Sequence, residues 1–170
     1  MSQRGYTLFE LLVVIAICAV TASFAITSAQ AFFKREEARR VIDNLRILIQ
    51  TGKTHALTHR RHLTICGSLD GKNCHPDWNS GLLLLEDANN NGVQDGSDQV
   101  LQYIALNIAP STLSWSGFGG PRLSIENTGI TFAGNGAFTY CRQDQDLLYR
   151  RQLIINRGGR IRLSKDSNHD

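Results

Sequence analysis

A group of basic side chains lies near the C-terminal end of the chain. The segment Arg157-Gly158-Gly159-Arg160 has the composition of a two-residue hairpin turn, which would place Arg157 opposite Arg160. Because side chains alternate along a strand with a period of two, Arg162 would lie on the same face. Like charges on one face repel one another, so an anionic ligand accounts for this arrangement better than folding does. Arginine can bind phosphate oxygens with two parallel hydrogen bonds, and we therefore predict contacts to DNA phosphates.

Further cations flank this turn. Arg150, Arg151 and Lys165 lie nearby in sequence and extend the predicted DNA-binding set. Two alternatives need no ligand: a solvated terminal hairpin, or a surface that contacts another protein chain. A second basic stretch at residues 53–62 is more typical of the junction between a helix and the domain that follows it. Phosphate contacts carry no base information, so we expect no sequence preference.

The sequence lacks the pattern of a catalytic centre. His55 and His59 have the i, i+4 spacing of a zinc-binding helix, but Ala56 stands where a metalloprotease needs glutamate. Neither a G-x-S-x-G nucleophile elbow nor a phosphate-binding glycine loop occurs. We therefore expect a protein that is not an enzyme and holds no cofactor.

The acidic stretch from Asp87 to Asp98 has the spacing of a calcium loop. Side-chain oxygens recur at Asp87, Asn89 and Asn91, as the ligands of such a loop do. However, the flanking residues are typical of strands rather than of two helices, and asparagine and glycine are also favoured in solvated turns. We therefore predict a hairpin turn and no metal site.

The N-terminal part of the chain predicts a membrane helix. A leader at residues 1–5 contains one basic residue, Arg4, and residues 11–33 contain no charged residue. At about 1.5 Å per residue, this stretch can cross a hydrocarbon core of roughly 30 Å. We therefore predict a single span of the inner membrane at about residues 9–31. Under the positive-inside rule Arg4 stays cytoplasmic, so the C-terminal domain is periplasmic.

Helical periodicity continues beyond this span. Apolar residues at i, i+3 and i+4 spacing predict an amphipathic helix that ends at about Gly52. From Leu63 onward, the pattern changes to short runs of β-type residues separated by Gly, Asn and Ser. The predicted fold class is α+β, with a leader at residues 1–5, a helix at 6–52 and an antiparallel β domain at 53–170 packed on the second half of the helix.

Glu10 is a carboxylate at the start of an apolar span, where it is costly unless it has a partner. The segment Gly5-Tyr6-Thr7-Leu8-Phe9-Glu10 resembles the type III signal of type IV pilins and type II secretion pseudopilins. The resemblance implies that prepilin peptidase cleaves after Gly5 and methylates Tyr6, which stands where phenylalanine is usual. It also implies that Glu10 pairs with the N-terminal amine of a neighbouring subunit in a filament.

The cysteines agree with a periplasmic domain. Cys18 lies inside the predicted span, whereas Cys66, Cys74 and Cys141 would face an oxidising compartment. Cys66 and Cys74 are close enough in sequence to close a loop with a disulfide, which is the preferred pairing. Cys66 with Cys141 is the alternative, and either pairing leaves one cysteine over.

Four later motifs resemble the GspH/FimT family of type IV minor pilins and type II secretion pseudopilins. They are CGSLDGKNC at 66–74, WNSG at 78–81, DANNNGVQD at 87–95 and NRGGRIR at 156–162. The resemblance implies a long helix followed by a β-sandwich, and assembly with other pilin subunits at or near a filament tip.

The last of these motifs separates two possible functions. Gly159-Arg160-Ile161-Arg162 resembles the terminal Gly-Arg-x-Arg motif of FimT-like proteins, which implies that the chain binds DNA for uptake by a transformation pilus. The alternative is a GspH-like minor pseudopilin that contacts protein partners at the tip of a type II secretion pseudopilus.

Overall fold

The computed structural model describes residues 7–164, except for positions 92, 97, 133 and 144–146 and the side chains of residues 22–28, 132 and 147. One long helix precedes nine strands and one short 3-10 helix in this part of the chain. The elements are α1 (Leu8–His59), β1 (Leu63–Gly67), β2 (Gly81–Glu86), β3 (Gln99–Ala105), β4 (Thr112–Gly117), β5 (Arg122–Ile125), β6 (Thr131–Phe132), β7 (Gly136–Cys141), the 3-10 helix (Leu147–Tyr149), β8 (Arg151–Ile155) and β9 (Ile161–Ser164).

The chain divides into two compact units between Glu36 and Glu37. In the first unit, α1 begins where the Glu10 amide donates hydrogen bonds to the carbonyl of Thr7 (3.1 Å) and to its hydroxyl (3.3 Å). Threonine at the N-cap with glutamate three residues later is the sequence pattern of a capping box. Glu10 therefore occupies the first turn of the helix with an exposed side chain.

The span predicted at about residues 9–31 includes residues 22–28, whose side chains are among those not described. In the described part of the chain, no helix combines the length and the apolar character needed to cross a membrane. The span therefore stays a prediction.

The second unit contains the C-terminal half of α1, which continues past the predicted end at Gly52 to His59. Gly52 lies inside the helix, at a position that faces β2 and β5. A Cβ atom at this position would lie 3.1 Å from methyl groups of both Ile125 and Leu84. The helix instead ends before Arg60, whose φ of 55° is the left-handed conformation common just after a helix.

Sheet A has the strand order β3-β2-β1-β5-β6. Every residue of β1 is buried, so both faces of this strand are covered. Leu63 and Ile65 join the core together with Leu84 of β2. Thr64 points to the opposite face, where its hydroxyl donates a 2.7 Å hydrogen bond to the buried carboxylate of Asp87. The segment after β2 is therefore attached to the outer side of the sheet.

A disulfide between Cys66 and Cys74 closes the segment after β1, with Cα atoms 5.5 Å apart. Cys141 is a free thiol. Within the closed loop, the carboxylate of Asp70 accepts hydrogen bonds from the amides of Lys72 and Asn73, each 2.8 Å long. These bonds, with that of Asn73 the largest contribution, hold the pKa of Asp70 well below its usual range.

Sheet B has the strand order β4-β7-β8-β9 and supplies the other side of the core. Phe138 of β7 is fully buried and contacts the rings of Trp78 and Trp115. One core therefore joins α1 with both sheets, as its buried members show: Val41, Leu45, Leu48, Ile49, Leu63, Leu82, Leu84, Leu123, Phe138 and Leu153. The fold is α+β, a helix packed on antiparallel sheets, which confirms the predicted class.

A polar contact ties α1 to sheet B near the start of the second unit. The hydroxyls of Tyr140 and Ser111 donate hydrogen bonds of 2.6 and 2.9 Å to the same carboxylate oxygen of Glu37. Arg142 lies 3.8 Å from the other oxygen of this carboxylate. Burial, followed by the bond to Glu37, raises the pKa of Tyr140 to about 12.

Candidate nucleic-acid interface

The turn between β8 and β9 carries the arginines of the candidate site. The Gly159 amide donates a 2.8 Å hydrogen bond to the carbonyl of Asn156, and the Asn156 amide donates one of 3.2 Å to the carbonyl of Arg160. Gly159 has a φ of 68°. A tight turn followed by one left-handed glycine is the usual form of a three-residue hairpin loop. The loop therefore consists of Arg157, Gly158 and Gly159.

The prediction that Arg157 lies opposite Arg160 is therefore wrong. The strand register pairs Ile155 with Ile161 and Ile154 with Arg162, so Asn156 is the residue opposite Arg160. The side chain of Asn156 reinforces this register, because its Oδ1 accepts a 2.9 Å hydrogen bond from the Arg160 amide. Arg157 lies in the turn itself, with an exposed side chain.

Arg160 and Arg162 lie two residues apart, so their side chains point to the same face of sheet B, away from the core. Both are exposed. Together with Ile154 and Asn156, they line a surface depression of about 310 Å³. The aliphatic side chain of Ile154 and the amide of Asn156 form the floor of this depression, and the two guanidinium groups border it. Such a site suits an anion that also presents an apolar surface.

The remaining outward positions of sheet B are small or neutral. None of those in the described strands is acidic, so no carboxylate of this face opposes the two arginines. These positions are Thr112, Ser114, Ser116, Ala137, Thr139, Cys141, Gln152 and Ser164.

Three residues distant in sequence hold the turn in place. Lys53 of α1 donates a 2.8 Å hydrogen bond from Nζ to the carbonyl of Gly159. Asn135 accepts a 2.8 Å bond at Oδ1 from the Arg157 amide. The Thr131 amide and hydroxyl donate to the carbonyl of Arg157 at 3.1 and 3.2 Å. Sequence reasoning missed all three, because no local pattern connects residues this far apart along the chain.

Of the other predicted DNA-binding residues, Arg150 and Arg151 do not join this group. Arg151 lies opposite Tyr140 at the far end of β8, roughly 17 Å from the turn at 3.3 Å per residue. Its Nη1 donates to the carbonyls of Leu148 and Arg150, at 3.0 and 2.8 Å. Arg150 precedes β8 and is half-buried. Lys165 lies outside the described residues, as do Gly5 and Tyr6 of the predicted processing site.

The basic stretch at residues 53–62 is partly neutralised by Glu86. The carboxylate of Glu86 lies 3.1 Å from Nε2 of His55 and 3.3 Å from Nε of Arg61. The rings of His55 and His59 stack with centroids 4.1 Å apart. The two stacked rings both lie on α1, whereas the pairing of His55 with Glu86 joins the end of α1 to β2, as expected of a junction.

The acidic stretch at 87–98 uses its side chains to form turns. Asp87 accepts a 2.9 Å hydrogen bond from the Asn91 amide, in addition to the bond from Thr64. Asp95 accepts bonds of 2.8 and 3.0 Å from the side-chain amides of Asn89 and Asn91. Within the residues described, no cluster of three or more His, Cys, Asp or Glu side chains is arranged to hold a metal ion.

The long helix packed on two antiparallel sheets, with a basic hairpin at the end of the second sheet, defines a type IV pilin-like subunit. The family model of the Type II transport protein GspH matches residues 41–159, and this chain belongs to that family. The model of the prokaryotic N-terminal methylation motif matches residues 1–26. The chain is therefore a pilin- or pseudopilin-type subunit of this family, a structural subunit rather than an enzyme.

Solved structures share this fold at low sequence identity. The type IV minor pilin FimU of Pseudomonas aeruginosa is 22% identical, with a TM-score of 0.61 over 81% of this chain and 95% of FimU. The minor pseudopilin EpsH from the type 2 secretion system of Vibrio cholerae is 14% identical, with a TM-score of 0.56 over 78% of this chain and 99% of EpsH. No curated protein matches the chain in sequence.

Proposed function

We propose that this chain is a FimT-like minor pilin that binds DNA for uptake in natural transformation, through Arg160 and Arg162 on the outer face of sheet B. The observation that carries the proposal is the shared orientation of these two exposed arginines on a face without carboxylates at its described strand positions. Their backbone positions lie about 6.6 Å apart, at 3.3 Å per residue. Neighbouring phosphates of one DNA strand can match this interval.

Arg157 extends the same cationic surface in this proposal, and Lys165 is retained from the sequence as a member of the DNA-binding set. Arg157 follows Asn156 directly in the turn and is exposed, and Lys165 follows the last residue of β9. Arg151 is assigned a structural role instead, because its guanidinium is used by backbone carbonyls. Arg150, which is half-buried next to it, is not part of the proposed phosphate contact.

The test measures binding of a fluorescently labelled duplex by the full chain in detergent, across a salt series. The variant Arg160→Gln/Arg162→Gln loses two cations from the hairpin. The control Arg39→Gln/Arg46→Gln loses two exposed cations from α1 and has the same net charge. Loss of two phosphate contacts should weaken binding about 10- to 100-fold at ~0.1 M salt and reduce the slope of log K against log salt by about 1.8.

The control should bind nearly as the wild type does. Absence of binding at low salt, both to this duplex and to a single strand of the same length, would end the proposal. Equal losses in the two double variants would show that net charge, rather than the hairpin, determines the affinity.

Processing and assembly follow the pilin pathway in this proposal. Prepilin peptidase cleaves after Gly5 and methylates Tyr6, α1 anchors the chain in the inner membrane with a periplasmic C-terminal domain, and Glu10 pairs with the N-terminus of a neighbouring subunit. The match to the N-terminal methylation motif supports this. Mass spectrometry of the purified chain should find N-methyl-Tyr6 at the N-terminus, and Gly5→Val should retain the leader.

The second candidate is a GspH-like minor pseudopilin that contacts protein partners at the tip of a type II secretion pseudopilus. The family model and the fold shared with EpsH support it. Deletion in the native host separates the two candidates. A transformation defect with normal secretion supports the DNA-binding pilin, and a secretion defect with normal transformation supports the pseudopilin.

A further inference from the structure

The register of sheet B places Phe118 and Arg160 at the same end of the sheet, Phe118 just after β4 and Arg160 just before β9. The last complete rung of the sheet is Gly117, Gly136, Ile155 and Ile161, each paired with the next. Asn156 and Arg160 continue the ladder by one step. Continuing all four strands by the same step gives a row of Phe118, Asn135, Asn156 and Arg160. We refer to this row as the terminal rung.

Phe118 is the most exposed large apolar side chain among the described residues of the second unit, at 76%. It lies in a turn followed by Gly119 and Gly120, whose φ values of 103° and 88° are in the left-handed region. A Cβ atom at Gly120 would meet nothing within 4 Å, so this turn is surrounded by open space. Because most of its surface is exposed to solvent, the ring is available to stack on a ligand.

The terminal rung combines the side chains that suit a single nucleic-acid strand. Strands lie about 4.8 Å apart, so the positions of Phe118 and Arg160 are separated by three strand spacings, or roughly 14 Å. The side chains of Asn135 and Asn156 come between them in this row. They accept hydrogen bonds from the backbone amides of Arg157 and Arg160, respectively, in the turn between β8 and β9, which we call the arginine turn. An aromatic ring for base stacking together with guanidinium groups for phosphates is the combination by which proteins hold unpaired nucleotides.

A duplex offers no free base face along its length, so it leaves Phe118 without a stacking partner. An unpaired strand can place a base on the ring while its phosphates reach Arg160 and Arg162. We infer that the terminal rung binds single-stranded DNA in preference to duplex, with Phe118 stacking on a base. The inference rests on the proposed DNA-binding function and adds the form of the nucleic acid that the site takes.

The test compares a labelled single-stranded oligonucleotide with a duplex of the same length, using the full chain in detergent. Phe118→Ala should weaken binding of the single strand about 5- to 100-fold and change duplex binding less than about 2-fold. The salt dependence should stay the same, because no charge is lost. Phe118→Trp should retain the single-strand affinity. The control is Leu148→Ala, which removes an apolar side chain that is 72% exposed on the 3-10 helix before β8.

A 2-aminopurine base in the single strand gives a second readout. Stacking on Phe118 should quench its fluorescence with the wild type and with Phe118→Trp, but not with Phe118→Ala. If Phe118→Ala binds the single strand as the wild type does, or weakens both forms equally, the inference is wrong while the proposed function stands. If the wild type binds neither form, the proposed function fails first.

Discussion

The ammonium group of Lys53 in α1 donates a 2.8 Å hydrogen bond to the carbonyl of Gly159 in the turn that carries Arg157. A Cβ atom at Gly159 would lie 2.7 Å from Nζ of Lys53 and 3.1 Å from the carbonyl oxygen of Gly129. The lysine therefore reaches the turn only because this position lacks a side chain. The arginine turn is attached to the helix as well as to its own sheet.

Replacement of Lys53 should loosen this turn. Lys53→Met keeps most of the aliphatic stem and removes the donor, so it should lower the free energy of unfolding by about 1–3 kcal/mol, as expected for a lost hydrogen bond from a charged group. Urea unfolding followed by the fluorescence of the buried Trp78 measures the change. Lys72→Met, at an exposed lysine of the disulfide loop, should change stability by less than about 0.5 kcal/mol. Equal effects of the two variants would contradict the role of Lys53.

Tyr140 should make the fold sensitive to alkaline pH. Its pKa of about 12 in the folded state lies above the ordinary tyrosine value of roughly 10. Below about pH 10 the phenol is protonated in both states, and its stabilising contribution is complete. Between about pH 10 and 12 the unfolded chain loses the proton first, so stability falls as the pH rises.

Tyr140→Phe should remove this part of the pH dependence. At neutral pH it should cost about 1 kcal/mol, because Ser111 still bonds Glu37. Comparison of urea unfolding at about pH 9 and about pH 11.5 should show a smaller loss in the variant than in the wild type. Identical losses would show that other groups cause the alkaline effect.

Asp70 should make the fold sensitive to acidic pH, whereas Tyr140 makes it sensitive to alkaline pH. Its pKa is depressed in the folded state, because the amides of Asn73 and Lys72 donate to the carboxylate. This contribution is complete above the unfolded value of roughly 4 and is lost as the pH falls toward the folded value. The difference in melting temperature between wild type and Asp70→Asn should therefore shrink from about pH 5 to about pH 2. Glu36→Gln, at an exposed carboxylate of α1, is the control.

Sequence periodicity was sufficient for the helix and for most strands, because apolar runs at 63–66, 82–85 and 137–141 alternate with turn residues. The strand register that positions the arginines could not be predicted from the composition of the turn alone. Two glycines suggested a two-residue loop, but the side chain of Asn156 bonds the Arg160 amide and moves the register by one residue. The bond from Lys53 connects residues 106 positions apart, which no local pattern encodes. Phe118 and Arg160 likewise lie at the same end of sheet B only through the order and register of its strands.

Gly52 shows how a residue with a weak helix propensity can be required inside a helix. Sequence reasoning used it as the helix end, whereas the structure places it against Leu84 and Ile125, where an added Cβ atom would lie 3.1 Å from both. Gly52→Ala should be nearly neutral, because a gain of about 1 kcal/mol in helix propensity offsets the tight contact. Gly52→Leu should lower the free energy of unfolding by about 2–3 kcal/mol, since its larger side chain pushes α1 away from the sheet.

Gly96→Leu is the matched control for Gly52→Leu, because a Cβ atom at Gly96 would meet nothing within 4 Å. It should change stability by less than about 0.5 kcal/mol. Displacement of α1 at Gly52 should also weaken the bond from the adjacent Lys53 to Gly159. The combined variant Gly52→Leu/Lys53→Met should then lose less stability than the sum of the two single losses, by about 0.5 kcal/mol or more in urea unfolding. Strict additivity would mean that helix packing and the position of the arginine turn are independent.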